Sequence, residues 1–206
     1  MKIYKYFLFK HAKQNGEYMR IISGTAKGTK LYTLEGNNTR PTLDRVKESL
    51  FNIINEKIYG SIVLDLFSGS GAIGLEFASR GAKKVYLCDN SKEAIQIIKN
   101  NIEKTHLGGK IELYNLDFIK LINKLDAEKI DIVYLDPPYE TNFIKQAVSE
   151  LLKKEYISNE TLIIAETDNY EKIVKQTEEI GIELIDKRKY GRAYILFLKK
   201  ISRKED

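Results

Sequence analysis

From Gly60 onward the chain alternates between two hydrophobic periods. Short, nearly continuous apolar runs at residues 62–66, 84–88, 110–114, 130–135 and 161–166 have the length of buried strands. Between them, at 72–79, 92–104, 118–125 and 143–153, apolar residues return every three or four positions, the spacing of helices with one buried face. A further helix at 170–180 leads into residues 183–190 and 193–199, an antiparallel pair. Apolar strands that alternate with amphipathic helices predict an α/β fold: a mostly parallel seven-stranded sheet with helices on both faces.

Upstream of Gly60 the pattern differs. Two short β-prone runs, 20–23 and 30–34, flank Gly24 and Gly28 and predict a small hairpin. Val46, Leu50, Ile53, Ile54 and Ile58 then recur at helical spacing, with Arg45, Lys47, Glu48 and Glu56 between them. This predicts a helix over 42–58, capped by Thr42. The hairpin and helix at 19–58 read as a small N-terminal appendage to a main domain at 59–206. Residues 1–18 mix Lys with Tyr and Phe and stop at a turn-like Asn15-Gly16. They read as a tag or an extended start before Met19, or alternatively as a basic-aromatic arm for nucleic acid.

Composition narrows the chemistry. Apolar residues make up 43% and charged residues 31% of 206, which is globular usage. No apolar run is long enough to span a membrane. One cysteine, Cys88, allows no internal disulfide and fits a reducing, cytoplasmic setting; two histidines leave little for a zinc site. The net charge of +5 is uneven, because an acidic middle lies between basic ends. Ends that folded onto one face would attract a polyanion.

Gly69, Gly71 and Gly74 form a loop that follows the first strand and opens a helix, and Asp89 closes the next strand. Glycines let a ligand approach the backbone, the helix start offers free N–H groups, and the acid can accept from ribose hydroxyls. A dinucleotide and S-adenosylmethionine both fit. Asp65, just before the glycines, suits a cation better than a pyrophosphate. The run Asp136-Pro137-Pro138-Tyr139 follows a buried strand. Its prolines cannot donate to a ladder, so the carbonyls there become acceptors beside the Asp136 carboxylate, and Tyr139 offers a stacking ring. Acceptors beside a ring are what an exocyclic base amine requires.

These two motifs together resemble those of class I, S-adenosylmethionine-dependent amino-methyltransferases. The Arg20-Ile21-Ile22-Ser23-Gly24 opening, the block from Arg40 to Asn52 and the Tyr190-Gly191-Arg192 ending resemble the bacterial RsmD family of 16S rRNA guanine-N2 methyltransferases. The resemblance spans about residues 19–200 and implies a Rossmann-like fold, a guanine at position 966 as target, and the small ribosomal subunit or an assembly intermediate as partner. It implies that Asp65, Phe67, Gly69, Ser70, Gly71, Asp89, Asn90, Asp117 and Phe118 bind S-adenosylmethionine. Asp136, Pro137 and Tyr139 would grip the target base. Arg20, Lys27, Lys30, Arg40, Arg45, Arg188, Lys189 and Arg192 would contact RNA. The protein is expected to act as a monomer, without a metal and away from membranes. Three rivals remain: a DNA adenine-N6 methyltransferase, a nicotinamide-dependent oxidoreductase, and a non-catalytic rRNA-binding assembly factor.

Overall fold

The computed structural model describes residues 19–34, 41–126, 129–138 and 142–202, with side chains omitted at 41–44. Seven strands form one sheet: β1 (Ile62–Asp65), β2 (Lys84–Asp89), β3 (Ile111–Asn115), β4 (Ile132–Leu135), β5 (Leu162–Thr167), β6 (Ile182–Tyr190) and β7 (Ala193–Lys200). Their order is β3-β2-β1-β4-β5-β7-β6. The first five pair in parallel, whereas β7 runs antiparallel to both β5 and β6. The sheet is therefore mixed and mostly parallel. Six helices accompany it: α1 (Pro41–Ile53), α2 (Ala72–Ser79), α3 (Lys92–Thr105), α4 (Phe118–Lys124), α5 (Phe143–Lys153) and α6 (Tyr170–Glu178).

Continuous apolar strands are covered on both sides. One face carries a core of Val63, Ile132, Ile164 and Phe197 with Leu75 and Phe77 of α2 and Ile98 of α3. The other carries Leu64, Val133, Ile163 and Leu198 with Leu121 of α4, Val148 of α5 and Ile173 of α6. Strand order reverses at β1, so the connections that leave β1 and its paired neighbour β4 run to opposite faces of the sheet, and a crevice opens at the strand ends.

The segment before β1 differs from its sequence pattern in three ways. Residues 20–34 do fold back antiparallel, but the pairing is short: one bridge, Arg20 to Lys30, with Ile21 N donating to Thr29 O at 3.0 Å and Leu31 N to Met19 O at 2.8 Å. The backbone N–H groups of Ile22 and Ser23 are taken instead by the Glu76 carboxylate, at 2.8 and 3.0 Å. The helix starts at Pro41 and not after Thr42, since proline suits the first helical position, where no N–H is needed. It stops at Ile53 and tightens into a short 3-10 turn, Asn55–Lys57, that keeps Ile54 and Ile58 buried. Ile21, Leu31, Leu50 and Phe51 join the same core as Val63 and Leu75.

A buried charge network fixes this segment. Glu76, wholly enclosed on α2, lies 3.2 Å from the Lys47 ammonium and accepts from Arg80 Nε at 2.8 Å. Lys47 also donates to the Arg20 carbonyl. The helical period made Lys47 part of a solvated face; it is 4% exposed because this carboxylate draws it inward. Gly24 has a positive φ and sits so close to the Ser79 carbonyl that a Cβ there would approach to 2.0 Å.

Removing the carboxylate of a buried ion pair leaves the enclosed cations without their counter-charge. Glu76→Ala should therefore lower stability by about 3–5 kcal/mol in urea unfolding. Glu150→Ala, which breaks an exposed pair with Lys153, should leave the midpoint nearly unchanged.

Candidate active site

β1 is enclosed along its length and ends in a carboxylate. Asp65 is 1% exposed, and neither of its oxygens has a hydrogen-bond partner. Burial pushes the carboxyl up to about 7, and Asp89 adds to the effect; the nearby Phe67 and Gly74 N–H dipoles and the Ser68 hydroxyl pull the other way. Buried polar atoms ordinarily find partners, so this one marks a place for a donor or cation from outside.

The following loop is tied to β2. Ser68 N donates to the Cys88 carbonyl at 2.9 Å, and Ser68 Oγ accepts from Cys88 N at 3.0 Å. Asp89 accepts from Gly69 N at 2.9 Å and from Ser91 N at 2.8 Å, one at each oxygen. Gly71 takes a left-handed conformation (φ 77°) at the start of α2, which carries no side-chain cap. A Cβ on Gly69 would meet nothing within 4 Å, so the loop faces open space there. Gly74 serves packing: a Cβ would lie 2.1 Å from Leu87 Cδ2. Asn101 on α3 secures the loop from behind, donating to the carbonyls of Ser70 at 2.9 Å and Tyr32 at 3.0 Å.

On the other flank Asp117 caps α4, its Oδ1 accepting from Ile119 N at 2.9 Å. Phe118 begins that helix and packs against Phe67 and Phe143, with 5.1 Å between ring centres in each pair. Asn90 is exposed, and its carbonyl accepts from Asn115. Cys88 is a packed thiol whose Sγ donates to the Leu116 carbonyl; burial and then Asp89 push it up to about 12, which makes it unreactive.

β4 ends at Leu135, and Asp136 and Pro137 follow at the rim of the cleft. Asp136 is open to solvent on one side and crowded by protein on the other. Lost hydration raises its carboxyl, and Glu166 and Asp65 raise it further. Tyr134, the second residue upstream on β4, donates its hydroxyl to Glu166 Oε2 at 2.9 Å. Sequence patterns did not single out Glu166 or Tyr134. The available signal was an acid closing the apolar run Leu162-Ile163-Ile164-Ala165. Tyr139 and Arg40 lie outside the described residues.

The basic candidates divide. Arg188 pairs with Asp186 at 2.8 Å and lies on the same cross-strand row as Ile195 and Glu166. Lys189 occupies the opposite sheet face, over the Tyr194 ring at 5.4 Å. Arg192 is exposed in the turn between β6 and β7. Arg45 is exposed on α1 and lines a shallow groove with Glu48, Ser49 and Asn52; Ser49 is hydrogen-bonded to Tyr190 at 2.6 Å. Arg20 and Lys30 form the bridge of the N-terminal segment, whereas Lys27 sits in a turn seated on Ser79, at the end of α2 remote from the glycine loop. The structure thus gathers Asp65, Asp89 and Asp136 with the loop at the strand ends, and sets Lys27 apart. Among the described residues no group of His, Cys, Asp and Glu could hold a metal ion, and no helix is long and apolar enough to cross a membrane.

Comparison with known proteins places this cleft in context. Residues 19–199 match the family described as Conserved hypothetical protein 95. YlbH of Bacillus subtilis is 33% identical over 185 residues, covering 88% of this chain and 99% of that one. Ribosomal RNA small subunit methyltransferase D of Haemophilus influenzae is 38% identical over 154 residues, covering 73% and 79%. Among solved structures, a Haemophilus influenzae protein, HI0767, superposes with a TM-score of 0.70 at 28% identity, covering 90% of this chain and 100% of that one.

The Asp65 carboxyl generates a pH prediction. Native Asp65 keeps its proton up to about 7, while the unfolded chain releases it near 3.8. The associated stability is present below the lower value and is lost as pH rises through the higher one. Asp65→Asn has no proton to lose. Its melting temperature should match the parent near pH 4 and exceed it increasingly toward pH 8, by up to about 4 kcal/mol in stability. Calorimetry across that range reads the difference directly.

Proposed function

The chain belongs to the RsmD family of ribosomal RNA small subunit methyltransferases, and on that premise we propose that it methylates the exocyclic N2 of a guanine in 16S rRNA, using S-adenosylmethionine. The observation that carries the reading is Asp136 with the Pro137 carbonyl at the end of β4, next to the unpartnered Asp65 at the end of β1.

The residues fit the cofactor. Its ammonium and sulfonium are cationic, and Asp65 is a carboxylate without a partner. The uncapped start of α2 and the loop at Gly69, Ser70 and Gly71 suit the methionine carboxylate. Asp89 uses one lone pair on each oxygen for the loop and retains others for ribose hydroxyls. Asp117 would accept from the adenine amine, with Phe67, Phe118 and Asn90 around the ring. When bound, S-adenosylmethionine supplies a methyl group made electrophilic by a positively charged sulfur.

The rest is performed by the chain. The guanine N2 lone pair is delocalised into the ring, so the amine is a weak nucleophile. Asp136 and the Pro137 carbonyl accept its protons, favour a pyramidal nitrogen and stabilise the positive charge that develops there. Asp136, in its ionised form, takes the proton lost from N2 as the new bond forms. Tyr139 stacks on the extruded base. Arg20, Lys30, Arg40, Arg45, Arg188, Lys189, Arg192 and the more distant Lys27 hold phosphates. The partner is the small ribosomal subunit or its assembly intermediate, met in the cytoplasm by a monomer.

The test supplies labelled S-adenosylmethionine with small subunits from cells lacking this gene, and plasmid DNA in parallel. Label in N2-methylguanosine from the subunits is expected. Label confined to DNA N6-methyladenine, or none with cofactor bound, overturns the assignment. Asp136→Asn should lower kcat by about 10²–10³-fold while cofactor affinity stays within about threefold. Asp65→Asn should do the reverse, weakening cofactor binding by about tenfold or more.

A further inference from the structure

Leu135 of β4 pairs with Ala165 of β5, so Asp136 and Glu166 are the next positions on two parallel strands about 4.8 Å apart. Residues two apart on a strand share a sheet face. Asp65, Tyr134 and Asp136 therefore lie on one face, and Ile164 and Glu166 continue it on β5. Tyr134 and Ile164 belong to the core of that face, which confirms the placement. The Tyr134 hydroxyl donates to Glu166 Oε2 and leaves Oε1 uncommitted in direction. Glu166 is half-buried, and burial raises its carboxyl. Beside the pair, the enclosed Asp65 has both oxygens unpartnered. Among the described residues, the strand ends thus bring three carboxyl groups, Asp65, Asp136 and Glu166, to one side of the cleft.

The Watson–Crick edge of guanine presents two adjacent donors, N1–H and N2–H₂. Adenine offers its amine beside an N1 lone pair, which a carboxylate repels. Resting on the guanine-N2 reading above, we propose that Glu166 is a specificity residue of this site. It accepts the N1–H of the target guanine while Asp136 accepts from N2, and so it excludes bases that lack the N1 proton. Tyr134 is its positioning residue, holding Oε2 so that Oε1 faces the base.

The geometry permits a gain-of-function test. 2,6-Diaminopurine keeps the N2 amine and replaces the N1 proton with a lone pair. Small subunits are reconstituted with RNA carrying either guanine or diaminopurine at the mapped target, and kcat/KM is measured on both. The wild-type protein should favour guanine by at least about 100-fold, since a site built to accept a proton rejects an analogue that lacks it. In Glu166→Gln the Tyr134 hydroxyl keeps the amide oxygen, and the amide nitrogen faces the base as a donor. That variant should bind the cofactor normally and narrow the preference by at least about tenfold, with activity on diaminopurine rising.

Comparable wild-type activity on both substrates overturns the proposal, whatever the variant does. So does a Glu166→Gln protein that loses both activities in equal proportion. If the wild-type protein forms no N2-methylguanosine at all, the functional reading itself fails, and that outcome is separate.

Discussion

A central strand that ends in a buried, unpartnered carboxylate is the constraint to which the rest of this structure answers. β1 lies between β2 and β4, with apolar layers above and below, and among the described residues none hydrogen-bonds the Asp65 carboxylate. A charge there is costly, and the carboxyl responds by holding its proton. Stability must come from the two apolar clusters that enclose the sheet. Such a carboxylate is free to meet a cation or donor that arrives from outside. Pre-formed acceptors then need no rearrangement at the moment of binding.

Glu76 shows the opposite solution at the same depth. It too is enclosed, yet two backbone N–H groups, Lys47 and Arg80 all meet its oxygens. The two carboxylates lie on neighbouring elements, β1 and α2. One is saturated and fastens the N-terminal segment and α1 over a sheet face; the other is left open at the edge of that face. Ser49 of α1 then reaches Tyr190 at the end of β6. The segment before β1 thereby spans from the glycine-loop helix to the far strands.

Most of the framework was legible in the sequence because two hydrophobic periods write strands and helices differently. All five parallel strands, the closing pair and the glycine loop follow from that contrast. What was not legible depended on contacts between distant residues. The expected hairpin shrinks to a short pairing around Arg20 and Lys30, while Ile22 and Ser23 donate to Glu76, more than fifty positions away. Lys47 reads as solvated until that same carboxylate is placed beside it. Glu166 reads as the last residue of a strand; its meaning appears only when β4 and β5 align it with Asp136 and Tyr134. Thr42 reads as a cap when Pro41 is placed ahead of the helix, whereas proline is well suited to begin one.

Four acidic residues, 65, 89, 136 and 166, converge on the strand ends, and their mutual influence gives the cleft an order of events. Asp65 is among the charges that keep Asp136 protonated, after lost hydration and Glu166. A cation seated beside Asp65 cancels that contribution, because opposite charges at close range favour the ionised form of every carboxylate nearby. On the proposed reading, a cofactor seated beside Asp65 would therefore shift Asp136 toward the carboxylate that would accept an amine proton. The same electrostatics run in reverse: neutralising Asp136 would make Asp65 easier to ionise. Coupling of this kind is reciprocal by thermodynamic necessity. It needs no moving part, only carboxylates held close by the register of β1, β4 and β5.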